Sequence, residues 1–252
     1  MDIVIIGTGN TATILGRKLN AAGHRIIQIF GRDAKAASEL AYELNTESTN
    51  YWSVVNRNAH VYLLAVSDIA IEEVAKELKL PYKVVVHTAG AVSKEILKES
   101  SNHYGVLYPL QSLKKESSYL PETPILIDAS DNDTLMILEI LGKSISDTIS
   151  LANDAQRLKL HLAAVFCNNF VNHMYVLIEE YCQKEGLDFQ LLLPLIQETA
   201  QRIQTIPPAK SQTGPAKRRD TATIEKHLAL MESYPDLKSI YQLLTKSIQQ
   251  HN

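Results

Sequence analysis

Short apolar runs alternate with stretches of helical periodicity from the first residues to about Thr148. The first run is the densest: Ile3-Val4-Ile5-Ile6 is all β-branched and ends at Gly7, the pattern of a strand buried on both faces. Thr11 to Leu19 then reads as a helix, closed by Ala22-Gly23-His24, and Arg25 to Phe30 predicts a second strand. A helix over Asp33–Leu44, a buried strand over Asn58–Val66 and an amphipathic helix from Ile69 to Leu80, stopped at Pro81, follow in turn. Val84-Val85-Val86-His87, Gly105–Tyr108 and Ile125–Ile127 predict further strands, with a last strand–helix unit to about Thr148. Such alternation implies a doubly wound α/β unit with a parallel sheet and right-handed crossovers.

The pattern changes near Ser150. From Leu151 onward the spacing predicts helices alone, over about 152–186, 188–206, 221–233 and 235–250. We therefore expect two domains, residues 1–150 forming the α/β unit and residues 151–252 an all-α unit, with the first long helix packing onto the former. The chain of 252 residues is long enough for two cores.

Between the first strand and helix lies Gly7-x-Gly9-x-x-Ala12, the turn of dinucleotide-binding folds. Gly7 permits the tight turn, Gly9 lets backbone approach a pyrophosphate, and Ala12 allows the helix to pack on the strand. Asn10 and Thr11 open the helix, whose unpaired N–H groups and positive dipole end suit phosphate. In an open parallel sheet the ligand lies outside the carboxyl ends of the strands, which adds Ala65, Val66, Ser67 and Thr88 to the candidate cofactor residues. The second strand ends Gly31-Arg32-Asp33, and a guanidinium at Arg32 accommodates a 2′-phosphate, so NADP is expected rather than NAD. Asp33 is open to two readings, as a ribose partner or as the N-cap of the next helix.

Composition adds exclusions. A net charge of −3, with 45% hydrophobic and 21% charged residues, gives no sign of a nucleic-acid or anionic-membrane partner. No apolar run reaches the roughly 18 residues of a membrane span, and the N-terminus lacks the positive region of a secretory signal, so a cytoplasmic protein is expected. Cys167 and Cys182 are too few for a metal knuckle or redox motif, and both fit as small helix-packing residues. No metal site is expected.

Candidate substrate chemistry gathers in two places. On a regular helical wheel Asp154, Arg157, His161, Asn168 and Asn172 share one face, opposite Ala163, Phe166, Cys167, Phe170, Met174 and Leu177. We read this stripe as lining a cleft between the domains, with His161 moving a proton and Asn168 orienting a carbonyl or carboxylate. His87, Gly90 and Gln111 follow strand ends and are further candidates, although His87 also fits as a strand-end histidine bonded to backbone. Gln212 to Asp220, with Gly214-Pro215 and Arg218, reads either as a loop closing on an anion or as a solvated basic loop.

Several of these motifs together carry a resemblance. Gly7-Thr8-Gly9-Asn10, His87-Thr88-Ala89-Gly90, Tyr108-Pro109-Leu110-Gln111, His161–Phe166 with Asn168-Asn169, Thr213-Gly214-Pro215 leading to Arg218-Arg219-Asp220, and His227-Leu228 run in order through the chain. In them the chain resembles NADP-binding oxidoreductases that join an N-terminal Rossmann-like domain to a helical DUF2520 domain. The resemblance implies a second domain like the C-terminal domain of 6-phosphogluconate dehydrogenase, one that completes the active site and usually a homodimer. Many members have His-Pro in place of Tyr108-Pro109, and Arg-Gly-Asp in place of Arg218-Arg219-Asp220. The expected function is hydride transfer to or from a small polar substrate. The alternative is a non-catalytic NADP(H) sensor or interaction module.

Overall fold

A computed structural model describes residues 1–251, and these form two compact units, Met1–Asn169 and a second from Phe170 onward. The first is built on one sheet in the order β3-β2-β1-β4-β5-β6-β7-β8. Its strands are β1 (Asp2–Ile6), β2 (Arg25–Phe30), β3 (Glu47–Thr49), β4 (Val61–Leu64), β5 (Val84–His87), β6 (His103–Pro109), β7 (Ile125–Ala129) and β8 (Ile149–Leu151). Helices α1 (Asn10–Ala21), α2 (Ala34–Glu43), α3 (Ile71–Glu77) and α4 (Asn132–Ile145) connect them, and α5 (Asp154–Ala164) follows β8.

The alternating pleat of β1 explains the two-sided core. Ile3 and Ile5 pack in one cluster with Ala12, Leu15, Ala37, Leu63, Val86 and Leu138, whereas Val4 and Ile6 pack in another with Tyr62, Leu64, Ile71 and Leu97. All four β1 residues from Ile3 to Ile6 are fully buried. At about 1.5–3 kcal/mol per large apolar side chain, burying this strand on both faces stabilises the unit more than any single polar contact does. The order 3-2-1-4-5-6 across the first strands is that of a doubly wound dinucleotide-binding sheet, and it reverses at β1, between β2 and β4.

Two strands depart from the expected parallel arrangement. β7 pairs antiparallel with β6, and β8 runs parallel to β7, so the last two strands oppose the rest. The cause is the connection: residues 110–124 between β6 and β7 contain no helix, and without a crossover the chain turns back along the same edge. The short polar strand β3 is also present, although its Glu-Ser-Thr sequence carries no apolar run.

The expected long helix over 152–186 is not regular. It passes through a π-helical turn at Val165–Phe170 between α5 and α6 (Val171–Lys184). Cys167 in that turn is exposed, a correction to its reading as a packing residue, whereas Cys182 is buried. The second unit contains α6, a 3-10 turn at Phe189–Leu192, α7 (Leu193–Arg202), the short α8 (Pro208–Ser211) and α9 (Pro215–Arg218), α10 (Thr221–Leu230) and α11 (Pro235–Gln250). Helix α10 opens on Asp220, whose carboxylate accepts from the Thr223 N–H at 3.1 Å. Arg219 has a left-handed backbone at φ +54°, the conformation that glycine adopts without cost. Among the described residues of this unit, Cys182, Ala216 and Met231 are buried.

Candidate cofactor and substrate site

The glycine turn forms as its sequence dictates. Gly7 has φ +128°, and a Cβ there would stand 2.2 Å from the carbonyl oxygen of Ala65, so only glycine lets the end of β1 close against the end of β4. The Gly7 N–H donates to the Phe30 carbonyl at 2.8 Å, locking the turn to β2 as well. Gly9 is the N-cap of α1 and brings no side chain to the helix end; a Cβ added there would meet nothing within 4 Å. The first N–H groups of α1 are therefore open toward a ligand. Ala12 is fully buried beneath the turn. The Asn10 carboxamide oxygen accepts from the Lys115 N–H at 3.2 Å, which ties the 110–124 connection to the start of α1.

A cavity of about 370 Å³ lies over this turn, lined among others by Gly7, Gly9, Gly31, Arg32, Ala65, Val66 and Ser67. Asp33 is committed elsewhere: its carboxylate accepts from the N–H groups of Lys35 and Ala36 at 2.9 and 3.1 Å and caps α2. That leaves Arg32 as the charged group of the β2 end that is free of a structural duty. Trp52, stacked on Phe30 with ring centroids 3.8 Å apart, walls the same cavity. An open helix N-terminus, a glycine that clears the approach and an arginine at the end of β2 fit a dinucleotide carrying a 2′-phosphate.

A second cavity of about 670 Å³ adjoins the first unit's strand ends, and Val66 lines both. Its walls include Thr11, Asp68, Thr88, Gly90, Tyr108, Gln111, His161 and Asn168. The Tyr108 hydroxyl and His161 Nδ1 are hydrogen-bonded at 2.9 Å. Burial pushes the Tyr108 phenol up, and the Asp68 carboxylate acts in the same direction.

His161 owes its place to the first turn of α5. Asn153 and Gln156 form a capping box, and the Asp154 carboxylate accepts from the Ser93 hydroxyl, from the Lys94 N–H at 3.3 Å and from Arg157 at 2.7 Å. Arg157, only 1% exposed, also donates to the Val92 carbonyl. Burial works against the charged Asp154 carboxyl, but hydrogen bonds from Ser93, Arg157 and Lys94 hold it below the ordinary carboxylate range. The polar stripe therefore divides. Asp154 and Arg157 fasten α5 to the segment after β5, while His161 and Asn168 line the cavity. Ala163 and Cys167, which a regular wheel puts on the far side, line it too. The π turn changes the angular step from Val165 on, so a fixed step of about 100° misplaces Cys167, whereas Ala163 lines the cavity from the regular part of α5 ahead of the turn.

Other candidates stand apart. His87 is fully buried, its Nδ1 accepts from the Ala89 N–H at 3.1 Å, and it lines neither cavity. Burial lowers its pKa to about 4, with the Arg157 charge adding to the effect. Gln111 lines the second cavity with its amide already engaged, donating to the Glu122 carbonyl at 3.0 Å and accepting from the Ser112 N–H at 2.9 Å. Asn172 in α6 and Arg218 in α9 belong to the second unit. Among the described residues no group of three His, Cys, Asp or Glu side chains could hold a metal ion, and no helix is long and apolar enough to cross a membrane.

Residues 2–90 match the family described as NADP oxidoreductase, coenzyme F420-dependent, and residues 123–248 match the domain of unknown function DUF2520. No curated protein matches the chain in sequence. Among solved structures, a Bacteroides fragilis protein provisionally named an NADP oxidoreductase is 37% identical, with 99% of this chain and 98% of that one covered at a TM-score of 0.93. A pyrroline-5-carboxylate reductase from Streptococcus pyogenes shares the fold at 14% identity and a TM-score of 0.68, covering 99% of this chain and 98% of that one. A reductive aminase from Aspergillus terreus, solved with NADPH and ethyl-5-oxohexanoate, does so at 12% identity and a TM-score of 0.71, covering 100% of this chain and 94% of that one. The open glycine turn and the arginine that follows β2 thus have their counterpart in ancestry: the chain belongs to the NADP oxidoreductases in which a Rossmann-like domain is followed by a DUF2520 domain.

Proposed function

We propose that the chain transfers hydride between NADP(H) and a small polar substrate held in the cavity between Thr88, Tyr108, His161 and Asn168. The observation that carries this reading is the shared wall at Val66, which joins the glycine-turn cavity to the cavity holding the protic side chains. Gly7, Gly9, Asn10, Thr11 and Ala12 would form the pyrophosphate turn, Arg32 would take the 2′-phosphate, and Ala65, Val66, Ser67 and Thr88 would run beside the remainder. Bound NADPH supplies a hydride equivalent. His161 then presents a ring nitrogen, and Asn168 an uncharged amide, to the substrate heteroatom on which charge develops. Gln111 and Gly90 shape the same wall, Gln111 with its amide fixed in place. His87 would support that wall from below.

Titration calorimetry with NADPH and NADH, followed by turnover assays across carbonyl and imine substrates, tests the proposal. We expect His161→Ala and Asn168→Ala to lose turnover while keeping nucleotide affinity. Unchanged turnover in both variants would overturn the site assignment, and failure to bind either nucleotide would overturn the reaction.

The homodimer belongs to this proposal as well. Within one chain Leu187, Leu191, Leu195, Ile203, Leu230 and Leu243 of the second unit are each more than half exposed, while among its described residues Cys182, Ala216 and Met231 are buried. An apolar surface of that extent calls for a partner, and a second copy of the helical unit supplies a matching one. Light scattering should return twice the chain mass; a monomer at micromolar concentration would reject this part.

A further inference from the structure

The contact between Tyr108 and His161 joins β6 to α5 across 53 positions of sequence. The two rings meet edge to face, with centroids 5.9 Å apart and planes at 75°. Tyr108 is 8% exposed, and His161 Nδ1 is the hydrogen-bond partner of its hydroxyl. The phenol keeps its proton at neutral pH, because burial disfavours the charged form.

A hydroxyl can donate one hydrogen bond and accept others. If Tyr108 accepted from an Nδ1–H, its own proton would be left without a partner in a mostly buried position, and an unpaired buried donor is the more expensive arrangement. If it donates, both groups are satisfied. A neutral imidazole that accepts at Nδ1 carries its proton on Nε2. His161 Nε2 makes no hydrogen bond to any described residue, and the ring lines the second cavity.

We infer that Tyr108 is a positioning residue that donates to Nδ1 of His161 and fixes the ring as the Nε2–H tautomer. The edge of His161 turned toward ligand is then a hydrogen-bond donor. It suits a substrate whose reacting carbon is doubly bonded to an acceptor, a carbonyl oxygen or an imine nitrogen, and it strengthens as negative charge gathers there. Gly90 belongs to the same device, since only a residue without a Cβ leaves room for the two rings beside it. The inference deepens the reading of His161 as a substrate-facing residue and rests on it for its catalytic consequence.

Nitrogen-15 NMR of the full-length protein labelled at histidine tests the tautomer directly, without turnover. The His161 ring signals are assigned by their loss in His161→Gln. We expect the Nε2–H pattern in the wild type, and a mixture of tautomers in Tyr108→Phe, a variant that keeps the ring and so the packing. An Nδ1–H ring in the wild type, or an unchanged pattern in Tyr108→Phe, overturns the inference. In kinetics, Tyr108→Phe should lower kcat at least tenfold with the KM for NADPH unchanged. If the tautomer shifts as expected while His161→Gln turns over normally, the positioning role stands and the catalytic role of His161 falls.

Discussion

A Cβ built on Gly90 would lie 2.7 Å from Nδ1 of His161 and 3.0 Å from Cζ of Tyr108. A glycine three positions beyond β5 thus controls whether a tyrosine from β6 can reach a histidine from α5. Gly90→Ala should push the imidazole away from the hydroxyl at an overpacking cost of about 1–3 kcal/mol. The expected result is a fall in kcat of at least about tenfold, for a misplaced group at the reacting centre, with calorimetric NADPH affinity unchanged. A variant with normal kcat would show that the ring pair is unimportant.

Arg32 lines the first cavity, Asp33 caps α2, and on the proposed reading Arg32 takes the 2′-phosphate. Hydrogen bonds to a charged group are each worth about 1.5–3 kcal/mol. Arg32→Ala should accordingly weaken NADPH binding about ten- to a hundredfold and leave NADH binding nearly unchanged. Equal losses for the two nucleotides, measured by titration calorimetry, would place the 2′-phosphate elsewhere.

Gly7 has no tolerance for a side chain. Alanine there meets both the strained φ and the Ala65 carbonyl, so Gly7→Ala should destabilise the first unit by at least about 2 kcal/mol, visible as a lower urea midpoint. Gly9→Ala, whose Cβ meets open space, should leave the midpoint within about 0.5 kcal/mol and instead weaken NADPH binding.

His87 makes the fold sensitive to acid. Its pKa is lowered from 6.5 to about 4 in the folded chain, so between those values the unfolded state holds a proton that the folded state does not. Stability present above pH 6.5 is therefore lost as pH falls through the window, by up to about 3 kcal/mol. Urea unfolding at several pH values should show a steeper decline for the wild type than for His87→Gln. Parallel curves would mean that His87 is not the group responsible.

Much of this was legible in the residues themselves. Ile3–Ile6 followed by Gly7-x-Gly9-x-x-Ala12 announces a strand, a turn and a helix through chemistry local to a dozen positions, and the NADP expected from that stretch and Gly31-Arg32 is the cofactor of the family to which the chain belongs. Strand direction is not local: Ile125–Ile127 reads as a strand whichever way it runs, and only the helix-free connection before it decides. β3 carries no apolar signal because it lies at the sheet edge. Cys167 was misplaced because the wheel assumes one angular step, which the π turn breaks. The Tyr108–His161 bond could not be read at all, since a contact across 53 positions depends on the whole sheet being assembled.

The commitment of Asp33 to the cap of α2 bears on any attempt to redesign the nucleotide preference. On the proposed reading of Arg32, exchanging it for an uncharged residue would remove a phosphate partner without creating a diol partner, because the neighbouring Asp33 carboxylate already accepts from backbone N–H groups. Another place for a new acid is Gly31, where a Cβ would stand 2.6 Å from Cγ2 of Thr8 and 3.1 Å from Cβ of Ala37. An acid introduced at Gly31 therefore needs a linked change, with Thr8 reduced to a smaller residue as Gly31 is enlarged.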